Sequence, residues 1–292
     1  LKTYGLTLEQ LHWRRWAIAN KCRGDVDKFR QEYPSNDQEA FLVSGRPFFD
    51  PQKLYVILNT TVMGPVRTGN LVERDDGTIE FVDHPEGYLR VWHEPEDGHR
   101  YVIGADVAEG LEKGDFSAAI VIDRDEWRQA AEFHGHVDPD LFGVELVKLA
   151  KWYNQAWLGI EANNHGLTTN KRVEALGYRR LYRRQVLDTV TKKTTGRLGW
   201  LTTTQTRPLM LDELAENVRE LWLVIYSEGL VHEMLTFVRD EKGKPAAQEG
   251  CFDDRVLAAA IAVQMHNLCP LPKNEPDQQP PRRTVLSQAA GY

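Results

Sequence analysis

Four carboxylates stand at the ends of apolar runs, where a charge is costly unless a cation meets it. Asp106 follows Tyr101-Val102-Ile103-Gly104-Ala105, which reads as a buried central strand. Glu161 closes Trp157-Leu158-Gly159-Ile160 and precedes the loop Ala162-Asn163-Asn164-His165-Gly166. Asp253 and Asp254 open an apolar helix that continues Arg255-Val256-Leu257-Ala258. Each has a bland explanation. Asp106 could begin a turn, Glu161 could pair with one of the many arginines, and Asp253 could cap its helix. The set points further. Acids at strand ends and a helix start can converge on one edge of an α/β sheet. Clustered carboxylates repel unless a hard divalent cation holds them together, and such a centre suits metal-assisted hydrolysis. Asp115 and His165 are secondary candidates, at the metal or on a substrate, although polar loop residues usually do neither. His134 and His136 flank a glycine in a turn and are given no role.

The 292 residues suffice for one substantial domain with smaller attachments. Lys and Arg number 36 against 43 Asp and Glu, a formal charge of −7 that argues at first against a nucleic-acid partner. The bases are unevenly spread, however. From Lys171 to Arg207, ten of them (Lys171, Arg172, Arg179, Arg180, Arg183, Arg184, Lys192, Lys193, Arg197 and Arg207) are opposed by Glu174 and Asp188. That excess could form a phosphate-binding face; an ordinary solvated basic surface explains it equally well. Cys22, Cys251 and Cys269 are isolated and read as free thiols, with no zinc-ligand spacing. No apolar run approaches the roughly 20 residues of a membrane helix, and no signal peptide is evident. The first residue is Leu, and the sequence reads as part of a longer polypeptide.

Three zones must position these residues. The first, residues 1–50, looks like helix and connector. Thr7 is a plausible cap for a helix with Leu8, Leu11, Trp16 and Ile18 near helical spacing, and Ser35 for a short one after Pro34. The second zone, 51–270, alternates strands and helices. Asp76-Gly77 between extended runs signals a hairpin. YVIGADV, SAAIVID and QAAEFHG read as neighbouring strands, and WLGIEA as a buried strand entered directly from the amphipathic helix DLFGVELVKLAKWYNQ. RPLMLDELAENVRELW and DDRVLAAAIAVQMHNL read as later helices. Hairpins followed by β-α-β alternation indicate an α/β domain with a mixed sheet. The third zone, 271–292, is Pro-rich and polar, and is expected to be a flexible tail.

Taken with their surroundings, these residues resemble the C-terminal nuclease half of the tailed-phage terminase large subunit. LTLEQLHWRRW with FRQEYPSNDQEAFLVSG is similar to the connector that follows that family's packaging ATPase. YVIGADVAEGLEKGDFSAAIVID resembles its first two nuclease strands, GIEANNHG its second acidic motif with Asn and Gly partners, and FDDRVLAAAIA its third. GRLGWLTTTQTRPLMLDELAENV resembles the late hairpin-to-helix region. The resemblance implies an α/β, ribonuclease H-like mixed central sheet flanked by helices, with an added β-hairpin region. It implies an endonuclease cutting double-stranded, concatemeric viral DNA during packaging, with Mg²⁺ or Mn²⁺ as a pair of ions. By position, Asp106, Glu161 and Asp253 would be catalytic and metal-binding, Asp254 a further ligand, and Asp115, Asn163 and His165 auxiliary. Some family members carry His where this chain has Asp254. The implied partners are DNA, the packaging ATPase domain, portal and small terminase subunit in the host cytoplasm, with no membrane. No G-x-x-x-x-G-K-[ST] occurs, so nucleotide hydrolysis is not expected from this chain.

Two divalent ions about 3.5–4 Å apart can activate water and clamp a phosphodiester. Asp106 is expected to bridge them, with Glu161 and Asp253 each on one side. Arg183, Arg184, Lys192, Lys193 and Arg197 are expected to grip DNA with little sequence dependence. The region 189–204 should form a hairpin or loop beside the acids, with Gly196 and Gly199 available for turns and Trp200 packed on the sheet. The rival readings are another ribonuclease H-fold nuclease, such as a junction resolvase, and a non-catalytic DNA-binding or docking module.

Overall fold

A computed structural model of the chain describes residues 7–33, 46–110, 114–187, 194–240 and 243–270. The first elements are Leu8–Asn20 (α1) and Val26–Glu32 (α2). Thr7 and Gln10 cap α1 reciprocally, each side chain accepting the other's backbone N–H. Leu8 and Trp16 are exposed, and Ala17, Cys22 and Phe29 make a small cluster of their own. The expected cap at Ser35 and the tail 271–292 lie outside the described residues.

Arg46–Pro47 (β1) already belongs to the main body, pairing with a late strand while Phe49 enters the large core. The body thus includes residues ahead of the boundary expected at 51. Pro51–Thr60 (α3) follows, capped by Asp50 with Pro51 in the first turn, where a missing N–H costs nothing. Arg67–Glu73 (β2) and Ile79–Asp83 (β3) form the hairpin around Asp76-Gly77, with Gly77 at φ 80°. Leu89–Val91 (β4), Tyr101–Asp106 (β5), Ser117–Asp123 (β6) and Arg128–Gly135 (β7) extend the sheet. Pro139–Trp152 (α4) crosses over to Trp157–Ile160 (β8), which lies parallel to β5. The seven strands run β3-β2-β4-β7-β6-β5-β8, antiparallel apart from that last pair. This is the mixed sheet expected from the sequence.

Beyond it come Gly166–Ala175 (α5), Arg183–Leu187 (β9), Thr194–Leu198 (β10), Thr206–Arg219 (α6) and Glu228–Leu235 (α7). Phe237–Arg239 (β11), Pro245–Ala247 (β12) and Asp254–Leu268 (α8) complete the described elements.

Every residue of β5 and β6 is buried, so both faces need cover. The period of two divides them. Val102, Ala118, Ile120 and Ile122 join the core shared with α6, α7 and α8, while Tyr101, Ile103, Ala105, Ala119 and Val121 face Phe142, Leu146 and Leu149 of α4. Helix α8 lies unusually low on the sheet because its inner face is alanine-rich and the strands beneath it carry Gly104 and Gly159. A Cβ at Gly104 would overlap the Ala258 carbonyl and the Ala262 backbone, and one at Gly159 would overlap Met265. The two glycines are register partners in β5 and β8. That close approach carries the start of α8 to the end of β5.

The hairpin expected within 189–204 starts earlier: Arg183–Leu187 (β9) pairs with Thr194–Leu198 (β10), and residues 188–193 between them lie outside the described residues. Gly199 takes the left-handed conformation at φ 70°, whereas Gly196 sits within β10 opposite Gln185. Trp200 is buried in the core.

Candidate active site

Asp106 ends β5 and is only 8% exposed. Its pKa is raised well above the carboxylate range, first by burial, then by the charge and hydrogen-bonding reach of Glu161, then by Asp254 and Asp253. Glu161, Asp253 and Asp254, from two other stretches of chain, thus lie near enough for their charges to act on Asp106.

Glu161 is held from both sides by its backbone. Its N–H donates to Ala105 O at 2.9 Å, continuing the β5–β8 pairing. Across from it, Trp200 N–H donates to Ile160 O at 2.8 Å and Ala162 N–H to Trp200 O at 2.6 Å, so residues after β10 add as a parallel neighbour. Asn163 completes this bracket. Its amide donates to Thr202 O at 2.8 Å and accepts from Thr202 N–H at 3.2 Å. Both ends of its side chain are thus used in positioning the loop. His165 is exposed at the head of α5 and makes no side-chain cap.

Asp253 occupies the position before α8 but does not cap it with its side chain. Glu233 from α7 does that work: its carboxylate accepts the N–H groups of Arg255 at 2.8 Å and Val256 at 3.3 Å, and the Arg255 guanidinium at 2.6 Å. A cap borrowed from another helix leaves Asp253 and Asp254 free for other partners. Asp253 meets Arg207 of α6 at 3.2 Å. Burial raises its pKa, Arg207 opposes that, and Asp115 and Glu161 add to the rise. Asp254 is 5% exposed and accepts the Phe116 N–H at 3.4 Å. Its pKa is pushed up to about 7, chiefly by burial, then by Glu233, with Asp115 and Asp253 contributing and the Phe116 N–H opposing. Asp115 is exposed on the rim, close enough for its charge to reach both.

Residue order alone did not indicate Glu233, Phe116 or the pairing of Arg207. The available signal for Glu233 was a lone acid in the largely apolar stretch Leu230-Val231-His232-Glu233-Met234-Leu235. Phe116 stacks on His134 and His136, with ring centroids 4.2 and 3.9 Å away, so these histidines support the loop that delivers the N–H.

The expected DNA-binding residues are dispersed in their bonding. Arg183 pairs with Glu174 at 2.7 Å, and Arg184 donates to the Leu198 and Gly199 carbonyls of its own hairpin. Arg197 is exposed opposite Arg184. Lys192 and Lys193 lie outside the described residues.

A tighter cluster, Glu96, His99 and Asp123, lies at the other end of the same strand pair, where Asp123 faces Tyr101. It carries its own cations. Arg128 bonds both Glu96 and Asp123, and His99 Nδ1 lies 2.9 Å from the Asp123 carboxylate. Burial alone would lower the His99 pKa, but Asp123, Glu96 and Asp125 raise it overall.

A seven-stranded mixed sheet flanked by helices, with α8 across it, is a ribonuclease H-like fold. Solved structures similar to it include large-terminase nuclease domains. The chain is similar to the large terminase nuclease of thermophilic phage G20c, at 16% identity over 75% of this chain and 98% of that one, with a TM-score of 0.51. The magnesium-bound form of that nuclease gives 16%, 76%, 98% and 0.52. The large terminase nuclease domain of Thermus phage P74-26 gives 15%, 73%, 94% and 0.51. No protein-family model matches the sequence, and no curated protein matches it either.

Proposed function

We propose that this chain is the nuclease part of a viral large terminase, a divalent-cation-dependent endonuclease acting on double-stranded DNA during genome packaging. The observation that carries the reading is the convergence of Asp106, Glu161, Asp253 and Asp254, with Arg207 as the one basic side chain ion-paired to any of them among the described residues. Raised pKa values at Asp106, Asp253 and Asp254 are what an acid cluster built for a cation shows without one. The donors are all carboxylate oxygens, which suits Mg²⁺ or Mn²⁺ and not a soft metal. The G20c nuclease has been determined with magnesium and with cobalt bound, in keeping with such a site.

Asp106, Glu161, Asp253 and Asp254 would hold one or two such ions. Bound there, they supply water activation and charge neutralisation on the phosphate. The protein's own contribution is rigidity. Glu161 is fixed by backbone pairing on both sides, Asp106 by the strand it ends, and Asp254 by the Phe116 N–H. Glu233 anchors the helix start from below. Arg197, Lys192 and Lys193 would meet DNA phosphates, and Asp115 and His165 would serve as auxiliaries. Residues ahead of β1 would connect to a packaging ATPase domain and 271–292 would tether a partner such as the portal or small terminase subunit.

The test is nicking of supercoiled plasmid by the purified chain. Cutting is expected with Mn²⁺ or Mg²⁺ and not with EDTA or Ca²⁺. DNA binding without cutting under every condition would leave the docking-module reading instead.

A further inference from the structure

Arg207 stands in the first turn of α6, outside the acid cluster in sequence, yet its guanidinium is 3.2 Å from the Asp253 carboxylate. Both side chains are more than a quarter exposed, so the pair faces the open side of the cluster and can exchange partners. None of Asp106, Glu161 or Asp254 has a basic ion-pair partner among the described residues.

Charge accounting assigns this arginine two successive partners. Ionised, the four carboxylates carry four negative charges, which two divalent cations cancel. A phosphodiester entering that neutralised set brings further negative charge, which grows as the phosphorus is attacked. The cation already at the mouth to meet it is Arg207. A guanidinium is always charged and matches phosphate oxygens with a fork of N–H donors. The same charge, while on Asp253, competes with metal for that carboxylate.

We propose that Arg207 is a substrate-contacting residue of the nuclease, holding Asp253 in the free protein and transferring to the phosphate under attack when cations and DNA bind. The assignment rests on the nuclease reading above. It requires metal binding and cleavage to respond to Arg207 in opposite directions, which general damage to the fold would not produce.

The experiment compares wild type with Arg207→Ala and Arg207→Lys, titrating Mn²⁺ without DNA by calorimetry or electron paramagnetic resonance, then measuring plasmid nicking at saturating Mn²⁺. Arg207→Ala is expected to bind Mn²⁺ about threefold to fivefold more tightly, the change a partly exposed ion pair commands. Its nicking should fall about a hundredfold, as when a charge-stabilising donor is removed. Arg207→Lys should bind Mn²⁺ like wild type and recover part of the nicking. Unchanged or weaker Mn²⁺ binding by Arg207→Ala, or wild-type nicking by it, overturns the proposal. Wild type that binds no Mn²⁺ removes both readings. Wild type that binds Mn²⁺ without cutting DNA removes the nuclease and the phosphate contact, while the titration still decides the competition at Asp253.

Discussion

At one end of the β5–β6 pair, Asp123, Glu96 and Asp125 face His99, Arg128 and Arg100. At the other, Asp106, Glu161, Asp253 and Asp254 gather with Arg207 as their ion-paired base. Both ends concentrate acids at the ends of buried strands; the first sets three basic partners against three acids, the second one against four among the described residues. Desolvating carboxylates costs several kcal/mol each unless they are paired, so the first end is balanced by its own partners, whereas the second, under the function proposed above, is complete only with added cations. Charge balance, more than the density of acids, separates structure from site here. Under the proposed function the tighter cluster is the structural one.

The largest expected contrast is between Asp106→Asn and Asp123→Ala. Removing Asp106 should lower metal-dependent nicking roughly a thousandfold, equivalent to several kcal/mol of charge stabilisation, without lowering the melting temperature of the metal-free protein. Removing Asp123 strands Arg128 and His99, and should cost about 3 kcal/mol of stability while each folded molecule still nicks DNA. Plasmid assays and thermal melts on both variants decide it. The reverse pattern would exchange the roles of the two ends.

A smaller effect is expected from pH. The Asp254 pKa is pushed up to about 7 from an ordinary 3.8, so between those values the folded protein holds a proton that the unfolded chain has released. Metal-free stability should therefore fall as pH rises through that window. Mn²⁺ should restore it at pH 8, where the carboxylates are ionised, and do little at pH 5. Melting curves at both pH values, with and without Mn²⁺, measure this; equal Mn²⁺ shifts at pH 5 and 8 would break the comparison.

The scaffold end has its own, weaker pH signature. His99 has a raised pKa, so the stability it contributes is full below its unfolded value near 6.5 and is lost as pH rises through the folded value. His99→Gln should flatten that part of the metal-free stability profile and leave the Mn²⁺ response unchanged. A diminished Mn²⁺ response would show that the two ends are coupled through the sheet.

The mildest change concerns the hairpin. Charge reversal at Lys192 and Lys193 should weaken DNA binding alike for unrelated sequences and reduce its salt dependence, with Mn²⁺ affinity unmoved. Unchanged DNA affinity and salt slope, measured by fluorescence anisotropy, would return the segment to ordinary surface.

Local sequence was enough to locate the acids. Uninterrupted apolar runs require β5, β6 and β8 to be buried, and the alanine-rich stretch after Asp254 requires a packed helix, so the carboxylates must fall where those elements stop. The hairpin at Asp76-Gly77 and the cap at Thr7 were legible for the same reason, since both are made by neighbours in the chain. Tertiary structure decided the rest. Asp253 looked like a helix cap, but Glu233 from α7 caps α8 and Arg207 from α6 takes Asp253. Asn163 looked like a site residue, but Thr202 occupies both ends of its amide. His134 and His136 showed no role in sequence and turn out to support the Phe116 loop. These outcomes depend on partners distant along the chain. Periodicity sets which face of an element is buried, whereas the countercharge that a buried acid meets there is set only when separate elements pack.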